Sequence, residues 1–501
     1  MVLQKEEVRR LPVSGEYQSP DPFSSASFQS LKDFVLERVS SAGRDVQGDF
    51  EQFERDLRDR FMAFEADVVA AHLSRYDEKA PEIEVNGVVY RYKDDFEKKY
   101  CALGGTFVLK RSLYVPRGGG KGLCPLELRA GMVEGYWTPG AARVAARAVS
   151  ASTPREATDL FRDLGGMQPS ESSLDRLPKL LSEHWEEHRE VFEEELRSQE
   201  TIPREAVAVG VSLDGVLVPM KNDKPQDASE EERAAAPAPT SATEPPSASD
   251  QRPQGPEGYR EVGCGTVTFY DAQGDRLETI RYARSPEYKK GTLKSELEAE
   301  LRSIFKSRPD LDLVELSDGA EDNWEFLDSL AGTLELRPEK VKHALDIFHA
   351  LERVKKALDA YHGEGTSAAK AAFEECRIWL REEKDGTDRV LRALRHRRNN
   401  SRGAKRKTIT IQIKYLAKRK SLTRYKELLD ANLPIGSGIV EAACKTLATE
   451  RLKRSGMRWS EEGSQGILTL RSLIQSGRWD AGWAFLASQY KAYVIPRARA
   501  A

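Results

Sequence analysis

The 501-residue sequence predicts an α/β protein: a mixed-sheet core interrupted by a large α-helical insertion, preceded by a small β module and a helical region. Three observations favour this class. Valine-rich apolar strands alternate with helical patterns after residue 201. Two of those strands end on an aspartate, and a long basic helical stretch separates them from a glycine-rich helix start.

Composition predicts a soluble chain with reduced thiols. Charged residues make up 32% and hydrophobic residues 39%. No apolar run approaches the roughly 18 residues of a membrane span, and the N-terminal "MVLQKEEVRRLPVSGEY" lacks the apolar core of a secretory signal. Five cysteines form no CxxC pair, so we expect a cytoplasmic protein without membrane association, nucleoid-associated when DNA is bound.

The N-terminal part divides into three predicted segments. Residues 1–45 are polar and Ser-rich, and we expect a disordered tail. Residues 46–125 carry an amphipathic helix and then a small β module, in which "EIEVNGVVYRY" is a hairpin signal around Asn-Gly. Residues 126–200 are helical, and "STPREATDLFRDLGGMQPSESSLDRLPKLL" is typical of a DNA-binding helix-turn-helix or of an ordinary helical hairpin.

The C-terminal part contains the core in two pieces. Residues 201–349 give a strand, a hairpin, a helix and further strands, interrupted at 222–258 by a Pro-, Ala- and Ser-rich disordered insertion. Residues 350–430 form a basic α-helical insertion domain. Residues 431–490 complete the core with a helix that carries a glutamate, and 491–501 form a tail.

A strongly basic block predicts contact with a polyanion. Between Leu391 and Lys426 there are 14 Lys or Arg residues and no Asp or Glu, in a chain of net charge −3. A solvated helical face is the alternative, but such faces normally mix both signs. We therefore expect nucleic acid contact. The candidate DNA-binding residues in the block are Arg392, Arg395, Arg397, Arg398, Lys405, Arg406, Lys407, Lys418, Arg419 and Lys420.

Asp214 stands inside an apolar run, "VSLDGVLVPM". A buried carboxylate is costly unless it is paired or bound to a cation, although an aspartate that ends a strand can also simply cap the following turn. A second predicted strand, "LDLVEL", is followed directly by Ser317 and Asp318, which is why Asp318 is favoured over the nearby Asp322. Glu441 lies near the start of the helix after "PIGSG".

These three acids, Asp214, Asp318 and Glu441, are the candidate catalytic and metal-ligating residues. If the two strands are neighbours, their carboxylates meet at one sheet edge, where they repel each other unless cations are present. Mg²⁺ prefers oxygen ligands, and two ions can stabilise the attacking and leaving oxygens of a phosphoryl displacement. The predicted cofactor is therefore two Mg²⁺ ions, with Mn²⁺ as a substitute.

Here the chain resembles a known family. "SLDGVLVP", "ELSDGA", "DIFHALERV" and "PIGSGIVEAACK" with "RLKRSGMRW" are similar to the DDE transposases of bacterial insertion sequences, the ISKra type in particular, over roughly residues 124–490. The resemblance implies a ribonuclease-H-like core with Asp214, Asp318 and Glu441 as metal ligands and a helical insertion before the glutamate.

The resemblance also bears on Asp346 and His349, whose D-x-x-H spacing is similar to one shared with Mutator-like transposases, where it lies near the active site. A lone histidine on a helix is otherwise usually a packed or surface residue. We expect these two residues to support the active site.

More basic side chains surround Glu441 and are candidate phosphate contacts. Trp459 among them is a candidate for stacking on a splayed base, with core packing as the alternative. The candidates are Lys445, Arg451, Lys453, Arg454, Arg458 and Trp459.

Two features depart from the family pattern. The stretch 222–258 is an extra insertion, because relatives run almost directly from the first strand into the second. Many relatives carry paired CxxC motifs in the N-terminal β module, whereas this chain has only Cys101 and Cys124 there. A tetrahedral zinc site needs four ligands, so we expect a degenerate zinc-ribbon-like module without zinc.

The expected function is Mg²⁺-dependent cleavage at transposon ends and transfer of the freed 3′-hydroxyl into target DNA. The partners are the terminal inverted repeats and the target duplex, bound by a homo-oligomer that is at least a dimer. Two alternatives stay open: a structure-specific, junction-resolving nuclease on the same fold, and a domesticated, catalytically inactive DNA-binding protein.

Overall fold

The computed structural model describes residues 21–39, 49–221 and 258–498. The fold is mixed α/β with two sheets and many helices, and the chain divides into two compact units, Met1–Trp185 with Ala481–Ala501, and Glu186–Asp480. The predicted insertion at 222–258 lies, except for Gly258, outside the described residues. Among the residues described, no helix combines the length and apolar composition that a membrane crossing requires.

The elements follow one numbering in chain order. The strands are β1 (Glu82–Val85), β2 (Val88–Ala102), β3 (Gly105–Pro116), β4 (Ala208–Pro219), β5 (Tyr259–Tyr270), β6 (Arg276–Arg284), β7 (Asp312–Ser317), β8 (Val341–Leu345) and β9 (Val494–Arg497). The helices are α1 (Ala26–Val39), α2 (Phe50–Ser74), α3 (Pro125–Ala130), α4 (Pro139–Ala151), α5 (Pro154–Leu164), α6 (Glu171–Gln199), α7 (Gly291–Ser307), α8 (Glu321–Thr333), α9 (Ile347–His362), α10 (Ser367–Glu382), α11 (Gly386–Asn399), α12 (Gly403–Lys418), α13 (Tyr425–Asp430), α14 (Gly438–Ala443), α15 (Glu450–Leu452), α16 (Glu461–Gln475) and α17 (Trp479–Gln489).

The first unit contains an antiparallel sheet of strand order β3-β2-β1-β9. The predicted hairpin is present: Asn86 and Gly87 connect β1 to β2, with φ angles of 51° and 79°. Both residues adopt the left-handed conformation that a two-residue hairpin turn requires, and Asn-Gly accepts it at low cost.

The N-terminal tail prediction is wrong for residues 21–39, which begin with a 3₁₀ turn and continue as α1. Leu31 and Phe34 are buried, and the Phe34 ring stacks on Phe53 of α2 with centroids 5.6 Å apart. The helix is stabilised by this tertiary packing rather than by its own composition, and composition alone therefore did not reveal it.

The C-terminal tail prediction at 491–501 is also wrong, because residues 494–497 form strand β9. Val494 is buried with Ile83, Val85 and Tyr114, and β9 pairs with β1 along its whole length. Residues 481–490, which the sequence assigned to the core segment 431–490, belong to the first unit as well. A four-residue strand that completes a sheet from the far end of the chain has no local sequence signal.

The second unit is built on a five-stranded sheet of order β6-β5-β4-β7-β8. Strands β4, β7 and β8 are parallel, while β5 and β6 are antiparallel to their neighbours. One face packs apolar residues of β4 and β5 against α7 and α8, and the other face packs on the helix that begins with α14 and on α16. The valine-rich composition of β4 reflects burial on both faces.

Asp214 lies in the middle of β4, not at its C-terminal end as the sequence predicts. Parallel pairing with β7 stops at Ser212, whereas antiparallel pairing with β5 continues to Pro219 and places Asp214 opposite Cys264. β4 continues past Asp214 because β5 remains paired with it as far as Pro219. Asp214 still lies just past the end of the parallel part of the sheet, beside the end of β7.

Helices α9 to α13 cover the segment 350–430 and share a hydrophobic cluster that includes Val354, Cys376, Leu394 and Tyr425. After this insertion the chain returns to the sheet through α14, which continues without interruption through a π-helical turn, Cys444–Thr449, into α15. π-Helical turns are rare and frequently found at functional sites.

Candidate active site

Asp214 is half-buried and has few donors. Oδ1 accepts a hydrogen bond from the amide of Gly215 at 2.7 Å, and Oδ2 has the Cys444 thiol at 3.9 Å. Burial raises the pKa of Asp214, and the nearby charge of Asp318 raises it further, against the opposing effect of the Gly215 hydrogen bond. The carboxylate thus has free lone pairs in a place where negative charge is costly.

Asp318 directly follows β7, as predicted, and is fixed by the start of α8. Its Oδ1 accepts from the amide of Ala320 at 3.0 Å and from Asn323 Nδ2 at 3.3 Å. The same Asn323 amide lies 3.4 Å from the carbonyl of Leu213, so one buried side chain ties the two aspartate-bearing strands together. Asp322 instead pairs with Lys294 at 2.8 Å.

Glu441 is exposed in the first turn of α14, as predicted. Burial of its carboxyl group, followed by the charges of Asp346 and Asp214, raises the pKa of Glu441, while His349 lowers it. Ligand atoms of Glu441, Asp346 and His349 lie within 4.8 Å of one another. Glu441 therefore lies beside Asp346 and His349 and within electrostatic range of Asp214.

Asp346 is fully buried and accepts hydrogen bonds from two elements. Its Oδ1 caps α9 by accepting from the amides of Phe348 (2.5 Å) and His349 (3.1 Å). Its Oδ2 accepts from the amide of Ser437 at 2.6 Å and from the Ser437 hydroxyl. Although burial opposes it, these donors and His349 lower the pKa of Asp346 to about 2. Asp346 therefore joins the start of α9 to the loop that leads to Glu441.

His349 is partly exposed on the first turn of α9, where it faces the acids. Its Nδ1 lies 3.8 Å from Asp346 Oδ1, and the contact with Asp346 raises the pKa of His349 to about 8, to which Asp318 contributes. At neutral pH the imidazole is then a cation among carboxylates. This position favours active-site support over the alternative of an isolated packed histidine.

The three predicted carboxylates lie within electrostatic range of one another in a chain: the charge of Asp318 raises the pKa of Asp214, and the charge of Asp214 raises the pKa of Glu441. They do not form a group within 4.8 Å among the described residues, whereas Asp346, His349 and Glu441 do. The donor set, carboxylate oxygens with free lone pairs, fits a divalent cation that prefers oxygen ligands. These acidic groups are compatible with divalent metal binding.

The sequence missed three side chains in this site: Asn323, Ser437 and Lys290. Lys290 Nζ lies 3.3 Å from Glu261 Oε1 and lowers the pKa of Asp214 through its charge. The quoted "GSG" contains Ser437, but nothing local indicates that its partner is 91 residues away. Asn323 has the position of an ordinary first-turn residue, so only its tertiary contacts identify it.

The basic block is exposed to solvent. None of its 14 cationic residues is buried. Some pair with acids outside the block, such as Arg392 with Asp385 at 3.3 Å and Lys420 with Asp388 at 2.8 Å. In the part of the chain that the structure describes, no ion pair involves Arg395, Arg397, Arg398, Lys405, Arg406 or Lys407.

Two candidates near Glu441 are placed differently from the prediction. Arg451 is only 2% exposed, so it is not available to a phosphate in this conformation. Its guanidinium lies 5.0 Å from the centre of the Trp459 ring, and Trp459 Nε1 donates to the carbonyl of Leu452 at 3.0 Å. These contacts favour the packing alternative for Trp459. Lys445, Lys453 and Arg458 are exposed, and Arg454 is half-exposed.

A second group of potential ligands lies at β7 and β8. His343 Nδ1 is 2.6 Å from Glu315 Oε2, Asp328 is nearby, and Glu315 is fully buried. Burial raises the pKa of Glu315. The contact of His343 with Glu315 raises the pKa of His343. In the first unit, burial raises the pKa of the Cys101 thiol to about 11 and of Cys124 to about 12, which favours protonated thiols.

Comparison with known proteins adds little to this geometry. No protein-family model matches the chain, and no curated protein matches it. Among solved structures the chain is similar to the Drosophila P element transposase in its strand transfer complex, at 12% identity and a TM-score of 0.25, over 70% of this chain and 83% of that one. A similarity this distant defines neither fold nor function by itself.

Proposed function

We propose that the chain is a DNA transposase with a ribonuclease-H-like core that cleaves transposon ends and joins them to target DNA. The observation that carries the proposal is the position of Asp214, Asp318 and Glu441: they come from β4, from the end of its parallel neighbour β7, and from a helix start, and they interact electrostatically. The strand order supports this type of core: β4, β7 and β8 are parallel, and β5 and β6 extend the sheet on the other side of β4 by antiparallel pairing.

Divalent cations would be held by Asp214, Asp318 and Glu441, and would supply charge that stabilises the attacking and leaving oxygens at phosphorus. The chain itself contributes alignment. Asn323 fixes Asp318 relative to β4, and Asp346 fixes the loop before Glu441. These fixed partners reduce the reorganisation needed when substrate binds.

His349, on the first turn of α9, supplies a positive charge beside the acids. At neutral pH it carries a proton, because the pKa of His349 is raised to about 8 by Asp346. Its imidazole N–H donates a hydrogen bond to the scissile phosphate when DNA is bound, and this hydrogen bond orients the phosphate. The three carboxylates that would hold the cations are not needed for this contact. The exposed basic block extends the same positive field along the DNA.

The test is cleavage and strand transfer on duplexes that carry the terminal inverted repeats flanking the gene, in Mg²⁺. Replacing Asp214, Asp318 or Glu441 by Ala removes a cation ligand, so cleavage falls by at least about 100-fold. DNA binding and thermal unfolding stay close to wild type. The matched control is Asp322→Ala, four residues from Asp318 and paired with Lys294, which keeps cleavage.

Three outcomes contradict the proposal in different ways. A variant of Asp214 or Glu441 that still cuts transposon ends removes that residue from the site. Cleavage of branched DNA without strand joining indicates the junction-resolving alternative. DNA binding by wild type without any cleavage in Mg²⁺ or Mn²⁺ indicates an inactive DNA-binding protein. Light scattering on the DNA complex tests the expected dimer.

A further inference from the structure

Tyr415 of α12 is in contact with two arginines. The guanidinium carbon of Arg353, from α9, is 4.2 Å from the centre of the Tyr415 ring, and that of Arg419 is 4.1 Å from the same centre. Each cation is attracted by the electron-rich face of the ring, and planar guanidinium groups stack well on aromatic rings. The ring therefore holds two positive groups in defined orientations.

This stack adjoins the loop after Asp318. The Tyr415 hydroxyl is so close to Gly319 that a β-carbon on Gly319 would lie 1.9 Å from it, and Arg419 donates to the Gly319 carbonyl at 2.5 Å. The negative charge of Asp318 also reaches Tyr415, whose pKa is raised chiefly by burial. Arg353 is one helical turn after His349, so both are on the same side of α9.

Among the described residues, neither arginine has a carboxylate within ion-pair distance, although the charge of Arg419 helps to lower the pKa of Glu321. In the ranges that the structure describes, no ion pair involves Arg353 or Arg419, although their neighbours are paired, Lys356 with Glu352 and Lys418 with Glu321. Arg353 and Arg419 are half-exposed. Two cations that are held near each other, neither of them in an ion pair, can attract an anion.

We propose that Arg353 and Arg419, both stacked on the Tyr415 ring, bind backbone phosphates of the DNA strand that is cut, next to the phosphate held at Asp214, Asp318 and Glu441. This inference rests on the proposed transposase function. Guanidinium groups offer paired N–H donors that match phosphate oxygens. Because the acids repel the strand, cations on its flank are needed to bring the backbone into the site. Tyr415 is a positioning residue that orients both arginines.

Binding is measured with the terminal-repeat duplex in an Asp214→Ala background, so that cleavage does not interfere. Arg353→Gln and Arg419→Gln each weaken binding about tenfold, and each lowers the slope of log affinity against log salt by about 1. Lys356→Gln, on the same helix and already paired with Glu352, is the matched control. Tyr415→Phe keeps the ring and keeps binding, whereas Tyr415→Ala reproduces the loss.

A DNA substitution separates a direct phosphate contact from a structural effect. Replacing single phosphates near the cleaved bond by neutral methylphosphonates weakens binding of the Asp214→Ala protein at one or two positions. At those positions the arginine variants show no further loss, because the contact is already absent. Thermal unfolding of each variant checks that it folds.

The outcomes distinguish this inference from the function on which it rests. If wild type cuts transposon ends but the arginine variants bind and cut like the Lys356 control, the phosphate site is wrong and the transposase proposal stands. A second outcome is that the arginine variants bind less tightly, yet each methylphosphonate weakens their binding as much as it weakens binding of the Asp214→Ala parent. The contact is then indirect and the inference is wrong. If wild type neither binds nor cuts these ends, the proposed function fails first.

Discussion

Asp346 shows how a single buried carboxylate organises the candidate site. It accepts hydrogen bonds from two backbone amides at the start of α9, and from the amide and the hydroxyl of Ser437 before α14. Its two oxygens are therefore largely occupied by protein donors, which suits a positioning role better than cation binding. The sequence grouped Asp346 with His349 as active-site support, and the contacts separate their roles.

Substitution of Asp346 tests this role. Asp346→Asn keeps the size but removes an acceptor facing Ser437, so we expect the free energy of unfolding to fall by about 2 kcal/mol, because buried donors lose their partner. Cleavage falls as well, through misplacement of Glu441. Chemical denaturation and cleavage assays measure both effects. Asp359→Asn, on the last turn of α9, is the control, and equal stability of the two variants would contradict the role.

At the scale of elements, the part of α6 that belongs to the second unit, from Glu186 onward, packs within that unit beside a buried ionic cluster. Arg478 lies 2.8 Å from Glu300 and 3.7 Å from Glu193, and pairs closely with Glu200, while the Tyr282 hydroxyl donates to Glu300 at 2.6 Å. The carboxylates outnumber the cation at the centre of the cluster. Burial and the neighbouring acids raise the pKa of Glu193 to about 7.

This imbalance predicts a pH-dependent stability. Between about pH 4.5, the ordinary value for Glu, and about pH 7, folded Glu193 holds a proton that the unfolded chain releases. Its contribution is therefore present at low pH and lost as pH rises through 7. At pH 8 we expect Glu193→Gln to be more stable relative to wild type than at pH 5. Denaturant titrations at both pH values test this, with the exposed neighbour Glu194→Gln as control.

A constant difference between Glu193→Gln and wild type from pH 5 to pH 8 would show that Glu193 titrates normally. The same cluster accommodates a buried acid of the highly charged helix α6: Glu193 accepts a hydrogen bond from the Tyr282 hydroxyl and lies 3.7 Å from Arg478. Charge composition alone predicted only a helix here.

At the scale of the whole molecule, net charge conceals the distribution of charge. The chain carries −3 overall, yet residues 391–426 contain 14 cations and no acid. The structure leaves all of them at least partly exposed on and after α11 and α12. Long-range attraction of a polyanion, such as the DNA proposed as partner, would depend on this local field rather than on the net charge.

The salt dependence of DNA affinity tests whether the positive field of residues 391–426 attracts DNA. Changing Arg395, Lys405, Arg406 and Lys407 together to Gln removes up to four phosphate contacts, so we expect the slope of log affinity against log salt to become shallower by roughly 2 to 4. Fluorescence anisotropy with a random-sequence duplex at several salt concentrations measures it. The control changes four exposed cations elsewhere in the second unit: Arg302, Lys306, Arg337 and Lys356. Equal slopes for the two variants would exclude the block as the DNA interface.

The sequence by itself determined many of the local elements and singled out the candidate site residues. Asn-Gly fixed a hairpin because few residues accept its backbone angles, the apolar period gave the strands and helices, and "SDGA" marked the end of β7. It also identified acids at 214, 318 and 441 and the basic block, because residue type and spacing are local properties.

Only the tertiary structure decided which distant residues meet. Pairing with β5 extends β4 past Asp214, β9 joins β1 from the other end of the chain, and α1 forms against α2. Contacts of Asp346 with Ser437, and of Tyr415 with Arg353 and Gly319, likewise depend on packing between separate elements. Such contacts arise from the burial and hydrogen bonding of the whole fold, which no local pattern encodes.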